Sequence, residues 1–405
     1  MAFCCPDILD TNAWSTGDRD VVLAHNRRTN TGSRLRAIEL RFGPPARRVN
    51  DVAQAVGLPV GDVQLIIRKL LHGVPPTADH KPLEVLYEDA HVIAVNKPAG
   101  MHVSPANRFR GGSLLNRVVA HVGTAAETPK PVHRLDEETS GVILFAKTAS
   151  SATSLALQFE SRQVDKLYAA VCRGPFVAGW RKMDGAVARV EGEDAKAVRR
   201  LALAGEEGSL PASTHVLAVA RSSDGTVLVL AAPETGRTHQ VRLHCRSADW
   251  PLLGDLQYGV DSDEMHRHAL HALSVRFQHP VSGEAISVCA PLPRDMLSAV
   301  AGCEYLTDAS DVLTVSETSA RAAAHPAAVE YLFGLLGANP TVAGPTVPTE
   351  QDAVQDAVQD AVQDGHETRT VGELKFLLRN AKLPVSGRKA DLIARLRAHE
   401  TSDSA

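Results

Sequence analysis

No apolar run in this sequence approaches the roughly 18 residues a membrane-spanning helix requires. Near the start Asp7, Asp10, Asp18 and Asp20 interrupt any apolar stretch that could serve as a signal-peptide core, and such acids are also unusual in a transit peptide. The expectation is an intracellular protein of unspecified compartment. Cysteine is sparse: the adjacent Cys4 and Cys5 and the singles Cys172, Cys245, Cys289 and Cys303 show no CxxC spacing of a metal site. They read as free thiols in a reducing environment. Charge of one sign is lacking too. The formal net charge is -4, so any surface for a polyanion must come from local clustering of Lys and Arg. A phosphate-cradling glycine motif is missing as well, so no nucleotide cofactor is expected. What is there is 405 residues with 44% hydrophobic content, which suits two or three globular domains and excludes disorder of the whole chain.

Residues 1–33 are polar and aperiodic, and are expected to be disordered. Residues 34–80 form a small helical segment. Val63, Ile66, Ile67, Leu70 and Leu71 fill one face of a 3.6-residue period. Before them, Val52 to Val56 and the turn Gly57-Leu58-Pro59 give a helix-turn-helix outline, a pattern shared by nucleic-acid readers and by ordinary bundles. From 81 to 306, β-branched apolar runs alternate with helical stretches. His91–Val95, Gly141–Phe145, Leu167–Val171 and Thr226–Leu230 read as buried strands. Ser113–Val122 and Ser150–Gln163 read as helices. This is an α+β region of catalytic-domain size. Residues 307–367 shift to Ala, Pro, Val, Thr and Asp, with Gln-Asp-Ala-Val repeats from Gln351, and read as a low-complexity linker. Residues 368–400 form a last module, and 401–405 a tail.

One polar turn stands directly before a buried strand: Val132-His133-Arg134-Leu135-Asp136-Glu137-Glu138-Thr139-Ser140-Gly141, followed by apolar residues and Ala146-Lys147. Loops on rigid scaffolds are where reactive groups are commonly presented. Taken alone, an Asp in such a turn is more often a cap or turn residue than a nucleophile. His-Arg-Leu-Asp with Thr-Ser-Gly and Ala-Lys resembles the signature of the RluA-type family of RNA pseudouridine synthases. Further blocks are similar in order: Asn96-Lys97-Pro98-Ala99-Gly100, Lys166-Leu167-Tyr168 with Gly174, and Thr235-Gly236-Arg237-Thr238-His239-Gln240-Val241-Arg242-Leu243-His244. Gly254-Asp255, Tyr258-Gly259, Leu270-His271-Ala272 and His279-Pro280 complete the series.

The resemblance implies a mixed, mainly antiparallel sheet and conversion of uridine to pseudouridine. That reaction breaks the N-glycosidic bond, turns the uracil and rejoins it through C5, which a carboxylate nucleophile can divide into covalent steps. By resemblance Asp136 is the nucleophile, kept ionised by Arg242 through a bidentate contact; alone, Arg242 reads as a phosphate contact. Tyr168 takes the place of the family's tyrosine, stacking on uracil and serving proton transfer; alone, it reads as core. Arg134 matches the arginine that helps hold or replace the extruded nucleotide; alone, it reads as a solvated surface residue. His133, Thr139, Arg237, His239, Gln240 and Leu243 are the expected substrate-binding residues. His133, His239, His244 and His271 have no third ligand at a recognised spacing, so no metal is expected.

In the last module Val371, Leu374, Leu377, Leu378 and Ala381 share one helical face, and Leu392, Ile393 and Leu396 share another, across the break Leu383–Gly387. This resembles the SAP module, a helix-loop-helix that implies binding to DNA or RNA, with Lys375, Arg379, Arg388 and Lys389 as phosphate contacts. A protein-docking hairpin is the other reading. For the whole chain, the expected partner is ribosomal or transfer RNA, with no membrane and a monomeric state. The alternative function is a nucleic-acid-binding protein that keeps the synthase fold without catalysis. A hydrolase using Asp136 and His133 is a third reading, weakened by the lack of an accompanying hydroxyl or thiol nucleophile motif.

Overall fold

The computed structural model describes residues 16–30, 32–42, 47–74, 76–105, 111–123, 127–190 and 198–305, with 374, 378 and 392–395. In chain order the elements are α1 (Thr16–Thr29), α2 (Gly32–Phe42), α3 (Val49–Val56), α4 (Val60–Gly73), β1 (Glu84–Glu88), β2 (Val92–Lys97), α5 (Leu114–Val122), β3 (Lys130–Pro131), β4 (Ser140–Ala146), α6 (Ala149–Glu160) and β5 (Asp165–Arg173). Then come β6 (Arg181–Asp184), β7 (Val187–Arg189), β8 (Arg199–Leu201), β9 (Ser213–Arg221), β10 (Thr226–Pro233), α7 (Gln240–Ser247), β11 (Leu270–Gln278), β12 (Ala285–Cys289), α8 (Arg294–Ala299) and β13 (Glu304–Tyr305). Two compact units result, one from residues up to 83 with 102–131 and 146–149, the other from 84–101, 132–145 and 150 onward.

In the first unit, α1 to α4 share a core that includes Val22, Ile38, Phe42, Val52, Val63 and Ile67. Gly57 ends α3 with φ 67°, a left-handed conformation glycine adopts without strain, and the Gly57 and Leu58 N–H groups both return to the Ala53 carbonyl. Pro59 then opens α4. Helix α1 departs from the expectation that residues 1–33 lack structure. It sends Val22 and Leu23 into the shared core; so short an apolar signal shows no period, and the helix is held by packing rather than by propensity. Residues 1–15 lie outside the described residues, as does the stretch 307–367 read as a linker. Helix α5 begins with a capping box, in which Ser113 Oγ accepts the Asn116 N–H and Asn116 Oδ1 accepts the Ser113 N–H.

The second unit is built on one sheet of order β1-β2-β4-β11-β5-β10-β9-β13, with β12 beside β11 and β6 beside β9. Its mixed α+β architecture is mainly antiparallel. The pairs β1/β2, β5/β10, β9/β10, β5/β11, β11/β12, β6/β9 and β9/β13 run antiparallel, and β4/β11 runs parallel. The middles of β5, β9 and β10, at 169–172, 216–220 and 227–232, are continuously apolar because both faces are covered. Leu167, Ala169, Val171, Leu228 and Leu230 enter one core with Met296 of α8 and with Met265. The alternating Ala170, Cys172, Val227, Val229 and Ala231 enter the other with Val241 and Cys245 of α7. Tyr168 faces this second side, so the period of two puts it on the face that α7 covers. At the start of β4, Gly141 has φ 110° and pairs with Ala272, where any Cβ would strike the Ala272 backbone. That close approach brings the turn before β4 against the start of β11. The small pair β7/β8 stands apart as a separate ribbon.

Candidate active site

The turn carrying Asp136 is fixed through its backbone. Thr139 N–H closes it onto the Asp136 carbonyl at 3.2 Å, and Thr139 Oγ1 meets His268 Nε2 at 2.8 Å. Lys97, buried at the end of β2, donates to the carbonyls of Pro98, Met101 and Glu137 at 2.9, 2.8 and 2.7 Å. Burial pulls its pKa down to about 7, yet three carbonyl acceptors match the three N–H bonds of an ammonium. From a second direction Arg267 donates to the Glu138 carbonyl at 3.0 Å while its fork grips Asp295. Consecutive residues of the turn are thus held by separate buried donors, and the Asp136 side chain stays one-fifth exposed.

Helix α7 supplies the facing groups. His239, at its N-cap, has φ 60°. The Gln240 side chain folds back to hold this turn, its Oε1 accepting from Thr235 Oγ1 and the Arg237 N–H, its Nε2 donating to Ser213 O and Thr214 Oγ1. Arg242, almost fully buried, sits three residues further on. Its Nε and Nη2 each meet an Asp255 carboxylate oxygen at 2.7 Å, and its guanidinium lies 4.7 Å from the centre of the Tyr258 ring. Burial opposes its charge, but the hydrogen bonds and charge of Asp255 outweigh that and hold its pKa above the ordinary value. Only Nη1 is directed to Asp136, 3.8 Å from Oδ2. This corrects the expectation of a bidentate Arg242–Asp136 pair: the fork belongs to Asp255, which fixes the arginine so that its third nitrogen faces the nucleophile candidate.

His239 Nε2 approaches the same Oδ2 at 3.9 Å. Burial brings its pKa down to about 4, so it is neutral at pH 7. Its Nδ1 lies 2.8 Å from the Tyr258 hydroxyl, whose oxygen already accepts the Arg199 N–H at 2.7 Å. With the hydroxyl donating to Nδ1, the ring proton resides on Nε2 and points toward Asp136. Both nitrogens thus approach Oδ2, at ion-pair rather than hydrogen-bond distance. Tyr168 lies near enough for the Asp136 charge to add to burial in raising its pKa well above the usual range, so it is a protonated phenol at neutral pH.

Several residues expected at the substrate make contacts within the fold. His133 Nε2 accepts the Leu144 N–H at 2.9 Å and its ring stacks on Phe159. Thr139 is buried against His268, and Gln240 spends its amide on the turn just described. Leu243 packs with Val187, Ala212 and Tyr258. Gln240 and Leu243 adjoin His239 and Arg242, which do face Asp136, and spacing alone could not divide the two sets. Arg134 is exposed and Arg237 half-buried, with its Nε on the Pro211 carbonyl. His244 and His271 are also framework: the first bridges Thr214 and the Gly185 carbonyl, the second Ser140 and the Ala290 carbonyl. Asp255, Tyr258, Lys97, Arg267 and His268 were given no role by the sequence; the blocks Gly254-Asp255, Tyr258-Gly259 and Asn96-Lys97-Pro98 held three of them. Among the described residues, no group of three or more His, Cys, Asp or Glu could hold a metal ion, and no helix is long and apolar enough to cross a membrane. In the last module Leu374, Leu378, Leu392 and Ile393 are helical and buried, while Lys375, Arg379, Arg388 and Lys389 lie outside the described residues.

Residues 91–247 match the RNA pseudouridylate synthase family, and residues 367–401 match the SAP domain. The ribosomal large subunit pseudouridine synthase D of Neisseria meningitidis serogroup A is 40% identical over 230 residues, which cover 53% of this chain and 59% of that protein. The chain thus spans less than two thirds of the Neisseria protein's length. The protein of the same name from Vibrio vulnificus is 34% identical over 253 residues, 58% of this chain and 75% of that one. The solved human RNA pseudouridylate synthase domain containing 1 is 27% identical, with a TM-score of 0.47 over 57% of this chain and 91% of that chain.

Proposed function

Because the chain belongs to the RNA pseudouridylate synthase family, we propose that it isomerises uridine to pseudouridine in RNA, with Asp136 as the covalent nucleophile. The observation that carries this reading is a partly exposed carboxylate flanked on one oxygen by a buried arginine and a neutral histidine. In the net reaction the N1–C1′ bond breaks, a C5–C1′ bond forms, C5 loses a proton and N1 gains one. Tyr168, held protonated, acts as a ring platform and hydrogen-bond donor rather than as a base. Arg242 and His239 counter the charge carried by Asp136 each time it leaves the substrate. Exposed Arg134 occupies the stack vacated by the extruded nucleotide, and Arg237 contacts the phosphate chain.

The names of the Neisseria and Vibrio relatives favour large-subunit ribosomal RNA as substrate. The matched SAP segment supports a nucleic-acid tether at the C-terminal end through Lys375, Arg379, Arg388 and Lys389. The test is tritium release from RNA labelled at uracil C5, with ribosomal and transfer RNA offered separately and free uracil measured alongside. Release without free uracil, from ribosomal RNA, is expected. Free uracil would indicate a hydrolase. RNA binding with no release from either RNA would indicate a protein that kept the fold and lost the chemistry.

A further inference from the structure

The helical unit of α1 to α4 takes no part in the site just described, and its surface has a character of its own. Residues 16–74 carry ten Lys and Arg against five Asp and Glu, in a chain whose net charge is -4. Arg27 and Arg28 close α1, Arg34 and Arg36 open α2, and Arg47 and Arg48 precede α3; all six are exposed. The last pair is held in place from behind. Buried Arg41 donates from Nη1 to the Arg47 carbonyl at 3.1 Å, and the Arg47 N–H bonds the Leu40 carbonyl at 3.1 Å. These bonds fix the backbone at Arg47, at an α3 N-terminus that has no side-chain cap, and the exposed Arg47 and Arg48 side chains extend from it, an arrangement suited to a phosphate.

Two of these helices have the order of a groove reader. Helix α3, the three-residue turn Gly57-Leu58-Pro59 and α4 form a helix-turn-helix, with Val52, Ala53, Val63 and Ile67 locking the two helices onto α2. The opposite face of α4 is open: Val60, Gly61, Asp62, Leu65 and Lys69 are exposed, Leu65 at 49%. The small Gly61 near its start lets the helix approach closely. A helix presented in this way enters a major groove about 12 Å wide, as in B-form DNA. The major groove of A-form RNA is too deep and narrow to admit one.

We propose that the α1–α4 unit is a docking surface for double-stranded DNA, with α4 lying in the major groove and Arg47 and Arg48 on the flanking phosphates. An RNA-modifying centre would then be carried on a chain that also holds DNA, which would place it beside newly made transcripts. The proposal needs no turnover and is independent of the synthase reading. It is tested by the affinity of the full chain for a DNA duplex and for an RNA duplex of the same sequence, across a salt series. The protein carries Arg388→Gln and Lys389→Gln throughout, so that the tail does not mask the effect. Because the chain also binds RNA through its catalytic unit, the readout is the effect of changing this surface on each duplex: a loss for the DNA duplex, and no more than about twofold for the RNA duplex, whose major groove does not admit the helix. Adding Arg47→Gln with Arg48→Gln should weaken DNA binding about tenfold and flatten the plot of log affinity against log salt by roughly 2, about 0.9 for each phosphate no longer neutralised. Leu65→Glu, at an exposed site that leaves the core untouched, should weaken it without that change of slope. Thermal unfolding of each variant confirms the fold. Equal losses for the two duplexes in these variants would overturn the groove assignment in favour of RNA docking, and unchanged DNA affinity in both variants would overturn the surface itself.

Discussion

Arg242→Lys separates the charge of this residue from its shape. The guanidinium holds two carboxylates at once, Asp255 through Nε and Nη2 at 2.7 Å and Asp136 through Nη1 at 3.8 Å. An ammonium is a single point and can serve only one of them. If it stays with buried Asp255, one charge-assisted hydrogen bond is lost, which costs about 2 kcal/mol of stability. The attraction to Asp136 is lost as well. At such a distance it is worth about 1 kcal/mol in water and about 4 kcal/mol at an effective dielectric of 20. One-fifth exposure of the Asp136 side chain puts it between these limits, at about 2 kcal/mol, or roughly a 30-fold loss of kcat/KM. Single-turnover tritium release and urea unfolding measure the two effects separately. A rate within about threefold of wild type, in a protein destabilised as expected, would show that Nη1 contributes nothing at the nucleophile.

Asp136→Asn keeps the shape and removes the nucleophile, so tritium release should fall by at least about a thousandfold, while RNA affinity in a filter-binding assay stays within about twofold. Tyr168→Phe retains the ring and loses only the hydrogen bond a protonated phenol donates, so kcat should fall about tenfold with little change in KM; steady-state kinetics distinguish this from a purely stacking role, which would leave both constants unchanged. Burial lowers the pKa of His133 and of His271 to about 3, so below the unfolded value near 6.5 the unfolded chain binds the extra proton. Stability should therefore decline as the pH falls from 6.5 toward 3, by about 1.4 kcal/mol per unit for each of them, and urea unfolding of His271→Asn should show a shallower decline. Truncation after Gly365 should leave turnover of a short, saturating RNA unchanged and weaken binding to long nucleic acid in a salt-dependent way; equal affinities at low salt would assign the tail to protein docking.

The sequence made the elements legible where burial leaves a strong periodic trace. The apolar runs at Val92, Val142, Leu167 and Val227 lie within β2, β4, β5 and β10 because both faces of these strands are covered. Helix α1 was not legible, since Val22 and Leu23 find their partners only in a core that α2 to α4 complete. At the site, the motif identified the segment and the fold assigned the roles. His239 and Gln240 are neighbours in one block, yet the left-handed turn at His239 directs its ring to Asp136 while Gln240 is turned inward to tie that turn. Asp255, 13 residues beyond Arg242, is inconspicuous in sequence. Its role as the arginine's anchor depends on both side chains being buried, which no local pattern records.

What these residues share explains why a reactive carboxylate can sit on a turn without the turn wandering. Folding gains little from exposing Asp136, so the surroundings must hold the backbone against its own freedom, which amounts to roughly 1–2 kcal/mol per residue. The donors that do so, Lys97 at the Glu137 carbonyl and Arg267 at the Glu138 carbonyl, are themselves tied to other acceptors. They act on the main chain and leave the side chain of Asp136 to substrate. The positive groups therefore divide by what they grip: Lys97 and Arg267 fix the backbone, whereas Arg242 reaches the carboxylate with the one nitrogen that Asp255 leaves over. Replacing any one of the three removes one basic side chain from near the turn. Their effects should nevertheless differ, with loss of Lys97 or Arg267 loosening the turn and loss of Arg242 leaving a well-placed but unsupported nucleophile.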